Sequence, residues 1–284
     1  MLKKEYYCLV AGLPDLFFNE NKPGLNSVAF REELHNQLSE PDFELVKLLF
    51  LPYDNRNLVT LYFEKGTAFN ELGNYSKKFL EDQLSPQNEI VSLPEYMLNF
   101  LEWMKDRESQ EWNIEVENIL NSLFYEYVLK SKNEFLNNWF MFELNCKNIL
   151  TTFNCVRFNY EISNHLLKTQ QNTLVYSLLI NKRLKPELYE DELPFNEQVF
   201  RIAESDSGMI EKEKALDKVR WDYLDEQTFF HYFTIEKILS FIIKLDITER
   251  WLKLDAETGK TMLNRLINDL KTSYEFPEEF SLTK

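Results

Sequence analysis

Glycine, proline, cysteine and histidine are all scarce in this chain. Six Gly and nine Pro in 284 residues supply too few tight turns for an all-β protein. Only three His are present, His35, His165 and His231. None stands in an HExxH pattern or at ligand spacing from a Cys, so the common zinc sites are absent. The three cysteines, Cys8, Cys146 and Cys155, form no CxxC. They read as buried free thiols in a reducing compartment. No GxSxG and no papain-like surround of a Cys occurs. Positive charge is also short: 32 Lys and Arg face 47 Asp and Glu, a net charge of −15. Such a chain repels phosphate backbones and anionic bilayers, which argues against nucleic acid as a partner. The most apolar run, 229–243, is interrupted by His231, Thr234, Glu236 and Lys237, so no stretch is long enough to span a bilayer. Gly12, Pro14 and Asp15 interrupt the first apolar run, which removes a signal peptide and sets a cytoplasmic location as the expectation.

Aromatic and helix-forming residues are abundant instead. Hydrophobic residues make up 44% and aromatics 15%, with 23 Phe and 14 Tyr. That is ample material for a core, and the long Leu/Glu/Lys/Asn stretches predict an all-α chain.

One short stretch recurs. Tyr53-Asp54-Asn55-Arg56-Asn57-Leu58 follows Leu51-Pro52. A Pro disfavours helix continuation, and Asp54 is a good N-cap, so the stretch reads as a helix start. Leu144-Asn145-Cys146-Lys147-Asn148-Ile149 aligns with it without a gap, and so does Phe233-Thr234-Ile235-Glu236-Lys237-Ile238. The Asp54 column holds Asn145 and Thr234, all capping types, and the Leu58 column holds Ile149 and Ile238. The copies lie about 90 positions apart, a spacing that points to internal repetition. The expectation is one helical domain of three units, roughly 1–111, 112–193 and 194–284, with Asp54, Asn57, Asn145, Asn148 and Thr234 as structural helix-start residues.

Along the chain, 6–12 reads either as a short strand or as the first turns of a buried helix. Ser27 is placed as the cap of a helix through Leu38, and Pro41 opens another that ends at Pro52. Pro94 fits the start of a helix with Met97, Leu98, Leu101 and Met104 on its apolar face. Residues 112–167 contain neither Gly nor Pro, and form one very long helix or two in tandem. Helices are also expected over 174–179, 197–204, after the Ser205-Asp206-Ser207-Gly208 break, and from Gly259 to Ser273. The acidic stretch 188–194 reads as an exposed boundary loop.

Two motifs fail on their own requirements. Gly259-Lys260-Thr261 resembles the end of a P-loop, but Leu254 stands where the first Gly is needed. Asp54-Asn55-Arg56-Asn57 has the look of a calcium loop, but Val59 occupies its Gly position. Adjacent Glu190, Asp191 and Glu192 point apart as a solvated loop does. No catalytic, cofactor-binding or metal-binding set emerges. The clusters Trp139-Phe140-Met141-Phe142 and Phe229-Phe230-His231-Tyr232-Phe233 exceed what one helix face buries. They belong to a core packed on several sides or to a partner surface.

Tyr6-Tyr7-Cys8-Leu9-Val10-Ala11-Gly12-Leu13-Pro14-Asp15-Leu16, Tyr53 to Leu58, and Lys244-Leu245-Asp246-Ile247-Thr248-Glu249-Arg250-Trp251 together resemble an uncharacterised bacterial family named only as a domain of unknown function. The resemblance covers essentially the whole chain. It implies encoding among the subunits of V-type rotary ATPases. The Asp-x-x-Asn-Leu pattern of Asp54, Asn57 and Leu58 is in turn similar to one in the C subunit of V/A-type ATPases, subunit d in eukaryotes. Asn148 is kept in the second copy; the third keeps neither polar residue. That second resemblance implies a funnel of three helical units that couples the central stalk to the membrane rotor ring and catalyses nothing. It implies attachment to the membrane through protein contacts alone. A helical adaptor unrelated to ATPases, and an enzyme with an unrecognised carboxylate site, remain the other expectations.

Overall fold

A computed structural model describes residues 4–18, 25–63, 68–85, 93–107, 111–254 and 259. These residues contain no strand. They form α1 (Tyr7–Ala11), α2 (Ser27–Gln37), α3 (Glu40–Tyr62), α4 (Lys77–Leu84), α5 (Glu95–Lys105), α6 (Ile114–Val128), α7 (Glu134–Phe158), α8 (Thr173–Ile180), α9 (Asn196–Glu204), α10 (Met209–Gln227) and α11 (Ile235–Lys253), with short 3-10 turns at Ile162–Asn164 and Pro186–Tyr189. The all-α expectation holds. The helix expected from Gly259 to Ser273 and the Gly259-Lys260-Thr261 stretch lie, beyond Gly259 itself, outside the described residues.

Pro52 does not end a helix. α3 runs through it for 23 residues. An interior Pro costs a helix about 3 kcal/mol. Val46, Phe50 and Leu51 before it and Leu58 and Val59 after it are all buried, each worth about 1.5–3 kcal/mol. Tertiary packing on both sides therefore outweighs the local break. The first short run is α1, not a strand. The Gly- and Pro-free region resolves into two helices, α6 and α7, because Asn133 accepts from the Leu136 amide and starts a new helix. Asn26 rather than Ser27 caps α2, accepting from the amides of Val28 and Ala29. Pro94 stands at the start of α5 as expected, with Met97, Leu101 and Met104 buried. The 188–194 stretch is not simply exposed, since Tyr189 is wholly buried and its hydroxyl donates to the Arg183 carbonyl. Cys146 and Cys155 are buried free thiols, whereas Cys8 is exposed.

Packing closes on itself. α3 contacts α6, α6 contacts α7, α7 contacts α9, α9 contacts α10, α10 contacts α11, and α11 returns to α2 and α3. The last junction is specific: Phe30 meets Phe241 edge-on at 5.3 Å, and the Ser27 amide donates to Glu249 at 2.8 Å. Between α7 and α10, Phe142 stacks flat on Tyr223 at 4.2 Å. The cluster Trp139-Phe140-Met141-Phe142 thus belongs to a core packed on several sides. The cluster at 229–233 does not: Phe230 is 82% exposed, and Phe229 and Tyr232 are 63% exposed. Among the described residues no helix is long and apolar enough to cross a membrane.

Candidate functional site: a charged cavity between three long helices

The residues expected at helix starts sit elsewhere. Asp54 and Asn57 lie deep inside α3, and Asn145 and Asn148 deep inside α7. All four are buried. The side chains of Asp54, Asn57 and Asn148 hold the loops that follow their helices, and Asn145 holds a later one before α9. Asn57 donates from Nδ2 to the Asn70 carbonyl at 2.8 Å and accepts from the Asn70 amide at 2.8 Å. Asn148 does the same to Leu167, donating at 2.7 Å and accepting at 2.9 Å. Each amide therefore pairs with one residue's backbone as a neighbouring strand would. Asp54 accepts from Asn74 Nδ2 at 2.7 Å and from the Tyr75 amide at 3.1 Å. Asn145 donates to the Glu192 carbonyl at 3.1 Å. Thr234 does stand at the N-cap position of α11, but its side chain caps nothing, and its buried hydroxyl has no hydrogen-bond partner among the described residues.

The cause of the misplacement is chemical. Asn and Asp serve a helix N-terminus because they accept from unpaired amides. A loop crossing the middle of a helix presents the same amides. Burial of Asp54 pushes its carboxyl up to about 6, against the pull of its bonds to Asn74 and Tyr75. Gly73 is required beside it, because a methyl group there would come within 2.5 Å of Asp54 Oδ1 and 3.0 Å of Asn57 Nδ2. Arg31 closes the loop from outside, donating to the carbonyls of Leu72 at 2.6 Å and Gly73 at 2.8 Å.

These clamps fix the roll of α3 and α7. A residue two positions on lies about 200° around a helix, so Arg56 points away from the Asp54 side and Lys147 away from the Asn145 side. Both line a cavity of about 760 Å³. α3 contributes Phe50, Tyr53 and Arg56 to it, α7 contributes Phe140, Glu143 and Lys147, and α11 contributes Ile242, Asp246 and Arg250. Apart from Phe140, which stands in an aromatic cluster, none of these was singled out by its residue type. Two sequence signals pointed here: Arg56 and Lys147 share a column of the aligned copies, and Tyr53, Arg56, Asp246 and Arg250 lie in the stretches that carry the family resemblance.

A polar frame surrounds the cavity. Tyr53 on α3 donates to Asp246 on α11, and burial raises the pKa of both. Arg220 on α10 forks onto Glu143 at 2.7 and 3.2 Å and donates to Asp217 at 2.8 Å. Burial opposes the charge on Arg220, but Glu143 and Asp217 overcome it and hold the guanidinium charged. Asp217 is wholly buried and also accepts from Arg250 and, at 2.7 Å, from Trp251 Nε1. A buried carboxylate needs this many donors to offset its lost hydration.

Neither His165 nor the acidic 190–192 stretch lines the cavity. No group of three metal-ligating side chains occurs among the described residues. The frame can orient and hold a guest; each of its carboxylates is already engaged by a donor.

Neither the curated proteins nor the solved structures contain a match to this chain. A family model does match, over residues 3–274. The chain belongs to the family described as "Protein of unknown function (DUF2764)".

Proposed function

We propose that the chain is a non-catalytic subunit of a V/A-type rotary ATPase that couples the central stalk to the membrane rotor ring. The observation that carries this reading is the open cavity where α3, α7 and α11 converge. A coupling part needs a socket that transmits torque without yielding. Here the socket's walls are tied to each other by Tyr53–Asp246 and by Glu143–Arg220–Asp217–Arg250. The walls are also tied to their own loops by Asn57 and Asn148. Closed packing from α11 back to α2 and α3 supports the same role, since a ring of helices resists opening under load. The repetition of one clamp in α3 and α7 supports a body built from related units. The exposed aromatics at 229–233 supply a second contact surface away from the socket.

In this reading the subunit works on the cytoplasmic side, attached to the membrane through protein contacts. The test is assembly: the purified protein is mixed with purified central-stalk subunits and resolved by size exclusion. A stable complex is expected. No complex, at concentrations where the other stalk parts assemble, refutes the reading.

A further inference from the structure

The cavity is cationic in a protein whose net charge is −15. Its two carboxylates are already committed: Glu143 is held by the Arg220 fork, and Asp246 accepts from Tyr53. Arg250 is engaged by Asp217. Three cations in the lining, Arg56, Lys147 and Lys253, form no contact ion pair among the described residues, although Glu143 attracts Lys147 and Asp246 attracts Lys253 from farther off. They arrive from three different helices, α3, α7 and α11. Lys147 is accessible to water yet crowded by protein, and this crowding pulls its amine pKa down.

Much of the rest of the wall is apolar or aromatic, and its accessible part is Leu49, Pro52, Tyr53 and Leu254. A guest matched to it has an apolar face and an anionic edge. One to two turns of α-helix, about 10 Å across and 5.4 Å in pitch, occupy roughly 400–850 Å³, the scale of this cavity.

We infer that the cavity receives the end of an amphipathic helix whose polar face is acidic, its Glu or Asp carboxylates meeting Arg56, Lys147 and Lys253. This rests on the coupling reading for the identity of the partner, the acidic helix then being the stalk's tip, but the chemistry of the site does not depend on it. The anionic exterior keeps stray acidic segments off the rest of the surface, and its field fades within about 8 Å at physiological salt, leaving the socket's own charges to select the guest.

The test uses the full chain and a fluorescein-labelled amphipathic helical peptide with glutamates on its polar face. A control peptide carries lysines in their place. Anisotropy is expected to show saturable binding of the acidic peptide only, weakening as salt is raised. The Arg56→Glu/Lys147→Glu variant is expected to bind roughly tenfold more weakly or worse, the change that ~1.4 kcal/mol produces. The Arg56→Gln/Lys147→Gln variant, which adds no repulsion, reads the same loss should the reversed charges perturb folding. Equal binding of both peptides, binding indifferent to salt, or unchanged affinity in the glutamine variant overturns the inference. Displacement of the peptide by inorganic phosphate at constant ionic strength also overturns it, in favour of a phosphate site. A parallel arm repeats stalk assembly with both variants. Assembly unaffected by the variants sinks the acidic-helix inference and spares the coupling reading. Peptide binding without any stalk complex does the reverse.

Discussion

Removing the Asn148 side chain tests the clamp most directly. Asn148 is wholly buried and Leu167 nearly so. In Asn148→Ala the Leu167 amide loses its acceptor and has no water to replace it. An orphaned buried donor costs about 1–3 kcal/mol. The Leu167 carbonyl loses one donor but keeps Asn172 Nδ2 at 3.1 Å, so that bond costs only about 0.5–1.5 kcal/mol. The sum is a destabilisation of roughly 2–4 kcal/mol, read as a shift of the urea midpoint. Hydrogen exchange at the Leu167 amide should quicken in step. Adding Asn172→Ala strips the carbonyl of its second donor, so the double variant should lose more than the two singles together, as expected for residues sharing one partner. Asn148→Asp keeps the acceptor for the amide but turns an oxygen toward the Leu167 carbonyl. Its loss should match or exceed that of Ala at neutral pH and shrink on acidification, when the protonated carboxyl donates again. A loss below about 0.5 kcal/mol with unchanged exchange at Leu167 would refute the reasoning.

Three further outcomes follow from the same geometry. Gly73→Ala should destabilise by about 1–3 kcal/mol in thermal unfolding, since the new methyl meets Asp54 and Asn57; a neutral result means the loop shifts freely. Asp54, with its carboxyl raised to about 6 in the folded state from 3.8, binds protons more tightly folded than unfolded. Stability relative to Asp54→Asn should therefore rise as pH falls from 7 to 4, by on the order of 2–3 kcal/mol, and a flat or opposite difference curve refutes the assignment. Asp217→Asn withdraws the charge that offsets Arg220 and Arg250 and one of the acceptors that includes the Trp251 indole partner. A loss of about 3–5 kcal/mol and a red-shifted Trp251 emission are expected, and a change under 1 kcal/mol contradicts a buried charge network.

The sequence by itself determined the class of fold. Few Gly and Pro and periodic apolar faces specify helices locally, because a helix satisfies its backbone within one segment. The Pro94 start, the Gly208 break and the helix over 197–204 are legible for the same reason. The recurrence of Asp54/Asn57 at Asn145/Asn148 was legible too, but its meaning was not. A polar side chain that accepts from amides is equally suited to its own helix start and to a loop folded over the helix from 13 or 19 residues away, and only the tertiary structure decided between them. Tertiary packing also carried α3 through Pro52, where buried side chains on both flanks outweigh a local penalty. It left the aromatics at 229–233 outside while burying those at 139–142, although their compositions are alike. The cavity belongs wholly to this second category: Arg56, Lys147 and Arg250 are ordinary exposed cations along the chain, and they become one site only because three helices from distant segments converge, the rotations of α3 and α7 fixed by the clamps behind them.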